Sequence, residues 1–204
     1  MAQGSSLDWY TSRDWRELAA GTSSQTRLGR MPAGRASETL DELLVRAPLD
    51  AIFDVARKVE HWPAYLPHYR VVRWRERHGE DDGIVEMSAN RPFGPANWPT
   101  WWVSEMTVRR SGDGGAELPV IRFRHVRGIT TGMEVEWSFI PDAGGTRVRI
   151  LHAWDGPRWP LIGVFAATTV IGPVFVHGIA SRTLAGLARV AERGAPRGTP
   201  NALR

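Results

Sequence analysis

The chain of 204 residues contains no cysteine, which excludes disulfide bonds, thiolate nucleophiles and cysteine-ligated metals. Its six histidines are scattered, without the HxH, HxxxH or HExxH spacing of metal ligands on one element. Glycine-rich phosphate loops of the GxGxxG or GKS/T type and a GxSxG nucleophile elbow are also missing. The sequence therefore predicts no metal and no cofactor, and gives serine-hydrolase chemistry no anchor.

Acidic residues are slightly too few to balance the basic ones, which leaves a formal net charge of +4. Such an excess favours acidic partners, but the arginines are spread through strands and tails, so a solvated surface is the better interpretation. No nucleic-acid partner is predicted. The first residues, Met1 to Trp15, lack the basic-then-apolar pattern of a signal peptide, so the expected location is cytoplasmic.

Charge is also missing from one long segment, Leu161 to Ala180, which contains no Asp, Glu, Lys or Arg. Its length would suffice to span a bilayer. Gly172 and Pro173 interrupt the segment and His177 lies inside it. We expect a buried or pocket-covering helix here, with peripheral membrane contact through 161–180 as the alternative.

The two ends of the chain have little to pack. Residues 1–36 are rich in Ser, Gly, Thr and Arg, and 194–204 combine Pro and Gly with polar residues. We interpret them as a flexible N-terminal extension and a disordered C-terminal tail. One domain, 37–193, is expected between them.

Within that domain the hydrophobic pattern changes period along the chain. A strand over Ser37–Ala47 is followed by a helix from Pro48 and a short helix over Ala64–Tyr69. Six segments with period-two alternation then follow between turn signals, and an amphipathic helix covers Ser181–Arg193. We predict an α+β fold: a curved antiparallel sheet of about seven strands wrapped around a long C-terminal helix, with two short helices between strands 1 and 2.

Ten tryptophans against three tyrosines is an unusual ratio. Each indole needs a large apolar contact and a partner for its N–H group. Most of the ten are expected to fill the core, but so many in one domain also suggest a lined cavity. The stretch EHWPAYLPHYRVVRW, residues 60–74, is either the rim of such a cavity or a corner of an ordinary core.

Four stretches carry a resemblance to a known family: APLDAIFDVARKVEHWPAYLPHY, TWWVSEM, GMEVEWSF and TRVRILHAWD. Together they resemble the START-like helix-grip superfamily and, within it, the aromatase/cyclases of bacterial aromatic polyketide synthesis. The first and third are also similar to the coenzyme Q-binding proteins of the same superfamily. The resemblance covers about Ser37 to Asp155 and the final helix.

The resemblance implies an internal hydrophobic cavity that binds a poly-β-ketone delivered by an acyl carrier protein and directs ring closure and dehydration. Strand TWWVSEM would line it with Thr100, Trp102, Ser104 and Met106. The arginine that ends the family pattern is Met106 here, and the first tryptophan is Thr100. Further cavity positions implied by the resemblance are Trp62, Tyr69, Met133 and Trp137.

The proposed catalytic residues are Tyr69, Ser104 and His152, which would handle carbonyl groups and protons. His125 competes with His152 for the role of general base. Arg91 or Arg124 could restore the missing cation; alternation places Arg124 outward, although one bulge would exchange it with His125. The remaining substrate-binding candidates are Leu66, Met87 and Trp154.

The alternative function is non-catalytic carriage of a quinone or other hydrophobic lipid. Met106 in place of the arginine and the uncharged run 161–180 both favour it. Turnover of a substrate is thus an open question at the level of sequence.

Overall fold

The computed structural model describes residues 34–93, 96–113, 118–156 and 177–194, with the backbone alone at 91–93, 96–98 and 177. The expected N-terminal extension, the C-terminal tail and the segment 161–180 fall wholly or mostly outside these ranges, so the domain limits remain a prediction. None of the described helices has the length and apolar character needed to cross a membrane.

Seven antiparallel strands form one curved sheet in the order β1-β7-β6-β5-β4-β3-β2. The strands are β1 Ser37–Val45, β2 Tyr69–Arg77, β3 Gly83–Phe93, β4 Ala96–Arg109, β5 Val120–Gly128, β6 Glu134–Asp142 and β7 Gly145–Trp154. The described helices are α1 Leu49–Arg57, α2 Trp62–Tyr65 and α3 His177–Gly194, with a 3₁₀ turn at Val59–His61. The predicted helix-grip architecture is confirmed.

The second short helix differs from its predicted position. It begins at Trp62 with Pro63 in its first turn and ends at Tyr65, whereas the sequence indicated Ala64–Tyr69. Proline favours the first turn of a helix, and Pro67 drives the preceding Leu66 into an extended conformation, with φ −123° and ψ 94°. Tyr69 is consequently the first residue of β2.

Helix α3 packs against α1 and β1 through buried residues one helical turn apart, including Leu184, Leu187 and Ala191. Val190, predicted on the same stripe, is only partly buried. Helix α3 therefore closes the concave side of the sheet.

Strand alternation separates the two faces of the sheet. The concave face carries large apolar side chains, whereas the convex face carries ion pairs such as Arg122–Glu136 at 2.7 Å. A register shift between Val103 and Ser104 in the β4–β5 pairing leaves Val126 as the extra residue. His125 therefore faces inward with Phe123, and Arg124 faces outward, as the simple alternation predicted.

Candidate functional site: a cavity between the sheet and helix α3

A cavity of about 70 Å³ lies between the concave face and α3. Its lining is mostly apolar, with two imidazole rings and two threonines among the exceptions. The lining residues are Trp62, Tyr69, Met87, Trp102, Phe123, His125, Thr130, Met133, Val135, Trp137, Ile150, His152, Ile179, Ala180 and Thr183. The corner between α1 and β2, five strands, the β5–β6 turn and α3 thus converge on one space.

Trp62 is the centre of an aromatic cluster on one wall. Its ring centroid lies 5.2 Å from that of Tyr69, 5.7 Å from Trp137 and 6.3 Å from Phe123. These are tilted or edge-on arrangements, the favoured geometries for aromatic pairs. The corner EHWPAYLPHY therefore serves as core packing and as cavity wall at once.

His125 is held in place on two sides. Its ring stacks on Trp102, with centroids 5.9 Å apart and planes at 17°, and Nδ1 lies 2.7 Å from Oγ1 of Thr130. Both neighbours line the cavity. Because stacking and the hydrogen bond fix the ring, His125 presents a pre-oriented imidazole to any ligand.

His152 lies on β7 and has no such support. Within the described part of the chain its Nδ1 is buried without a hydrogen-bond partner. Burial lowers the pKa of His152 to about 3, because the charged form loses its hydration. His152 is therefore a neutral imidazole at physiological pH, able to exchange hydrogen bonds with a ligand.

Three other buried polar atoms on the concave side of the described structure lack a partner: Nε1 of Trp62, Oγ of Ser104 and Oγ1 of Thr39. Thr39 is directly opposite His152 across the β1–β7 pair, and Ser104 is opposite His125 across β4–β5. A buried polar group without a partner costs about 1–3 kcal/mol. Such a concentration beside one cavity is typical of a site that a polar ligand completes.

The corner and α3 are fastened together beside the cavity. Oγ1 of Thr183 donates to the carbonyl oxygen of Ile179 at 2.8 Å, so Nε2 of His68, 3.0 Å away, donates to Thr183. The tip of Leu66 fills the notch at Gly186, where a Cβ would lie 2.1 Å from Cδ2 of Leu66. Burial and then the nearby Arg182 lower the pKa of His68 to about 4.

The sequence matches a family described as polyketide cyclase / dehydrase and lipid transport over residues 45–169, more than half of the chain. The chain belongs to this family. A Streptomyces halstedii protein named "Putative polyketide cyclase" is 28% identical over 114 residues, which are 56% of this chain and 97% of the relative.

Solved structures show the same fold. The Zhui aromatase/cyclase from a Streptomyces species superposes with a TM-score of 0.59 at 16% identity, covering 80% of this chain and 99% of that one. The TTHA0849 protein from Thermus thermophilus gives a TM-score of 0.60 at 18% identity, covering 78% and 100%. The START-like resemblance is therefore confirmed at the level of family and fold.

In this member of the polyketide cyclase / dehydrase family, eight of the residues selected from the sequence meet at the cavity. They are Trp62, Tyr69, Met87, Trp102, His125, Met133, Trp137 and His152. Two of the three proposed catalytic residues, Tyr69 and His152, are in this group. The third, Ser104, is fully buried but does not line the cavity.

Other selected residues also lie away from the cavity. Arg124 pairs with Glu105 on the convex face, and Nε1 of Trp154 donates to the carbonyl oxygen of Thr131 at 3.1 Å. Leu66 fills the notch at α3, and Met106 is buried beside Phe123 in the sheet. Thr100 is partly buried outside the lining.

The missing cation is not restored by Arg124, and the side chain of Arg91 lies outside the described structure. Among the described cavity-lining side chains, none is Asp, Glu, Lys or Arg. The hydrogen-bonding capacity of the described lining is therefore supplied by neutral groups.

Sequence reasoning did not select seven lining residues: Phe123, Thr130, Val135, Ile150, Ile179, Ala180 and Thr183. Phe123, Val135 and Ile150 shared the inward alternation of chosen neighbours, so the signal was present. Thr130 lies in the turn between β5 and β6, where periodicity gives no direction. Thr183 is one residue before the apolar stripe of α3, and only its polar side chain disguised it.

Proposed function

We propose that the protein is a polyketide aromatase/cyclase, which binds a poly-β-ketone in the cavity and directs ring closure and dehydration. The supporting observation is the pair of imidazoles, His125 and His152, in the wall of an otherwise mostly apolar cavity. Membership of the family is consistent with this chemistry. A purely apolar ligand would leave the polar atoms of this wall without partners.

The reaction requires removal of a proton from a carbon between two carbonyl groups. The resulting enolate attacks a second carbonyl carbon, a carbon–carbon bond forms, and the alkoxide takes up a proton before water is lost. We assign proton removal to His125, since its ring is pre-oriented by Trp102 and Thr130. The phenol of Tyr69 would donate to a ligand carbonyl.

Neutral His152 would act in this scheme as a hydrogen-bond partner for an enol or carbonyl oxygen rather than as the main base. Its low pKa makes it a weak proton acceptor. Trp62, Trp102 and Trp137 would limit the conformations of the flexible chain, so that one pair of carbons meets.

The cavity must widen to accept such a ligand. Its volume of about 70 Å³ is far below the ~300–1,000 Å³ typical of small-molecule sites. The corner is attached to α3 beside the cavity by the His68–Thr183 hydrogen bond and by the tip of Leu66. Separation of these contacts is the opening motion that we assign to substrate uptake.

An acidic acyl carrier protein is the proposed delivery partner. Arg70, Arg182 and Arg189 are close to this corner in the chain or in space, and within the described structure none of them forms an ion pair. Most described arginines of the sheet are instead paired with carboxylates. Unpaired cations beside the cavity suit an acidic surface and would accelerate its association.

A second candidate is carriage of a quinone or other hydrophobic lipid without turnover. The absence of charged groups from the described lining favours it, because enolate formation gains from a nearby cation. Met106 occupies the position of the family arginine and does not line the cavity.

The test is an incubation of the purified protein with a minimal polyketide synthase and its acyl carrier protein, followed by product analysis. We expect a shift from spontaneously cyclised products to one aromatic product. His125→Asn, which can keep the bond to Thr130, should reduce this product about 100-fold.

Trp74→Phe is the matched control, since Trp74 lies outside the cavity and bonds Glu60. An unchanged product profile, together with release of a prenylated quinone or fatty lipid on denaturation of the purified protein, would instead support the carrier.

A further inference from the structure

Two unpaired nitrogens belong to residues that line the cavity: Nε1 of Trp62 and Nδ1 of His152. The indole nitrogen can only donate a hydrogen bond, whereas a neutral imidazole nitrogen accepts or donates according to its tautomer. In the described structure His125, in contrast, already has Thr130 as a partner. The unmet hydrogen-bonding capacity is therefore concentrated on Trp62 and His152.

The two nitrogens address different parts of a ligand. The ring of Trp62 packs against Phe123 of β5 and Trp137 of β6, whereas His152 lies on β7. Val135 separates His152 from Phe123 in the same cross-strand row, and adjacent strands are ~4.8 Å apart. One ligand oxygen is unlikely geometry for both atoms, because their elements are separated by up to two strand spacings.

We infer that the cavity selects a planar apolar ligand with oxygens at two separate positions, one accepting from Trp62 and the other bonded to His152. This inference rests on the proposed function and narrows it from hydrophobic ligands in general to ring systems oxygenated at opposite ends. A hydrocarbon, or a ring oxygenated at one end, leaves at least one buried nitrogen unpaired, which costs binding free energy.

The test uses three probes with one carbon frame: naphthalene, 2-naphthol and 2,7-dihydroxynaphthalene. Isothermal titration calorimetry with the full chain should give dissociation constants that fall about tenfold with each added hydroxyl. Trp62→Phe keeps an aromatic ring but lacks the N–H group. It should abolish one step of this series and leave naphthalene binding within about twofold.

His152→Leu should abolish the other step, and the double variant should bind all three probes about equally. Trp74→Phe removes an indole N–H that already has a partner in Glu60, so it should keep the full series. Thermal unfolding of each variant checks that it is folded, and the two single variants test the inference independently.

The outcomes separate the inference from the function on which it rests. Naphthalene binding with no gain from hydroxyl groups would overturn the two-oxygen inference while leaving a hydrophobic cavity function intact. Equal weakening of all three probes by Trp62→Phe would also overturn it, since ring packing alone would explain that result. Failure of every probe to bind the wild-type chain, together with unchanged products in the synthase assay, would overturn both.

Discussion

The two faces of the sheet treat buried polar groups in opposite ways. On the convex face Glu86 is only 2% exposed and is paired with Arg73 at 2.9 Å and with Arg75. On the concave face Trp62, Ser104 and His152 each keep a buried polar atom without a partner in the described structure. The same strands supply both faces, since alternate residues point to opposite sides.

This difference separates polar groups that stabilise the fold from polar groups that await a ligand. A satisfied buried charge contributes to a unique structure, whereas an unsatisfied one lowers stability until something binds. Burial alone would not distinguish them, because both kinds are nearly inaccessible to water. The hydrogen-bond partner is therefore the informative observation, and each face can be tested by removing one group.

The largest effect is expected on the convex face. Glu86→Gln should lower the free energy of unfolding by about 3 kcal/mol, since it leaves Arg73 and Arg75 without their buried counter-ion. Urea unfolding of the two proteins measures this difference. Asp155→Asn, which breaks an exposed pair with Arg35, should cost less than about 1 kcal/mol. Equal losses would show that burial of the pair is not what matters.

The pH dependence of stability tests the concave face. The pKa of His152 is about 3 in the folded chain and about 6.5 when unfolded. Between these values the unfolded chain binds a proton that the folded chain does not. The free energy of unfolding is therefore fully retained above about pH 6.5 and falls as pH decreases, by about 2 kcal/mol between roughly pH 7 and pH 5.

His152→Asn should remove this part of the pH dependence, as measured by urea unfolding at a series of pH values. His68 contributes in the same direction, because burial lowers its pKa as well, but its ring is half-exposed and its share is smaller. Identical slopes for the wild-type chain and His152→Asn would show that His152 is hydrated in the folded protein.

The contact between the corner and α3 gives the next effect. Alanine normally stabilises a helix interior by about 1 kcal/mol relative to glycine, but a Cβ at Gly186 would lie 2.1 Å from Leu66. We expect Gly186→Ala to destabilise by about 1–2 kcal/mol. Gly178, whose added Cβ would meet nothing within 4 Å, is the matched control.

The double variant Leu66→Ala with Gly186→Ala should show coupling, because the smaller residue 66 makes room for the new methyl group. Additive losses would mean that Leu66 does not occupy the notch. In that case the proposed opening between the corner and α3 would lose its structural basis.

Strand alternation predicted the concave face well. Met133, Val135 and Trp137 alternate with glutamates, and this period alone places them inward. The resemblance added Trp62 and Tyr69, which lie outside regular alternation. The inward direction of His125 also followed from the pattern, since the bulge lies beyond it at Val126.

Alternation could not give the position along each strand. Thr100, Trp102, Ser104 and Met106 share one face of β4, yet only Trp102 reaches the cavity. The place of the cavity depends on where α3 and the corner cross the sheet, which is a tertiary property. Thr183 was missed for the same reason, because its helix face acquires meaning only once α3 is docked.

The smallest effect compares two buried hydroxyl groups. Thr146 donates to the carbonyl oxygen of Ala47 at 2.9 Å, whereas Ser104 has no partner in the described structure. Thr146→Val should therefore lower the free energy of unfolding by about 1 kcal/mol, and Ser104→Ala should leave it unchanged or raise it slightly. Urea unfolding resolves both changes.

The sign of the Ser104→Ala effect decides the role of this residue. A gain or no change in stability, with weaker substrate turnover, would mean that Ser104 is kept for the ligand and that the cavity extends to it in the bound state. A loss as large as that of Thr146→Val would mean that Ser104 has a partner in the folded chain. The contrast between the two faces would then be limited to Trp62 and His152.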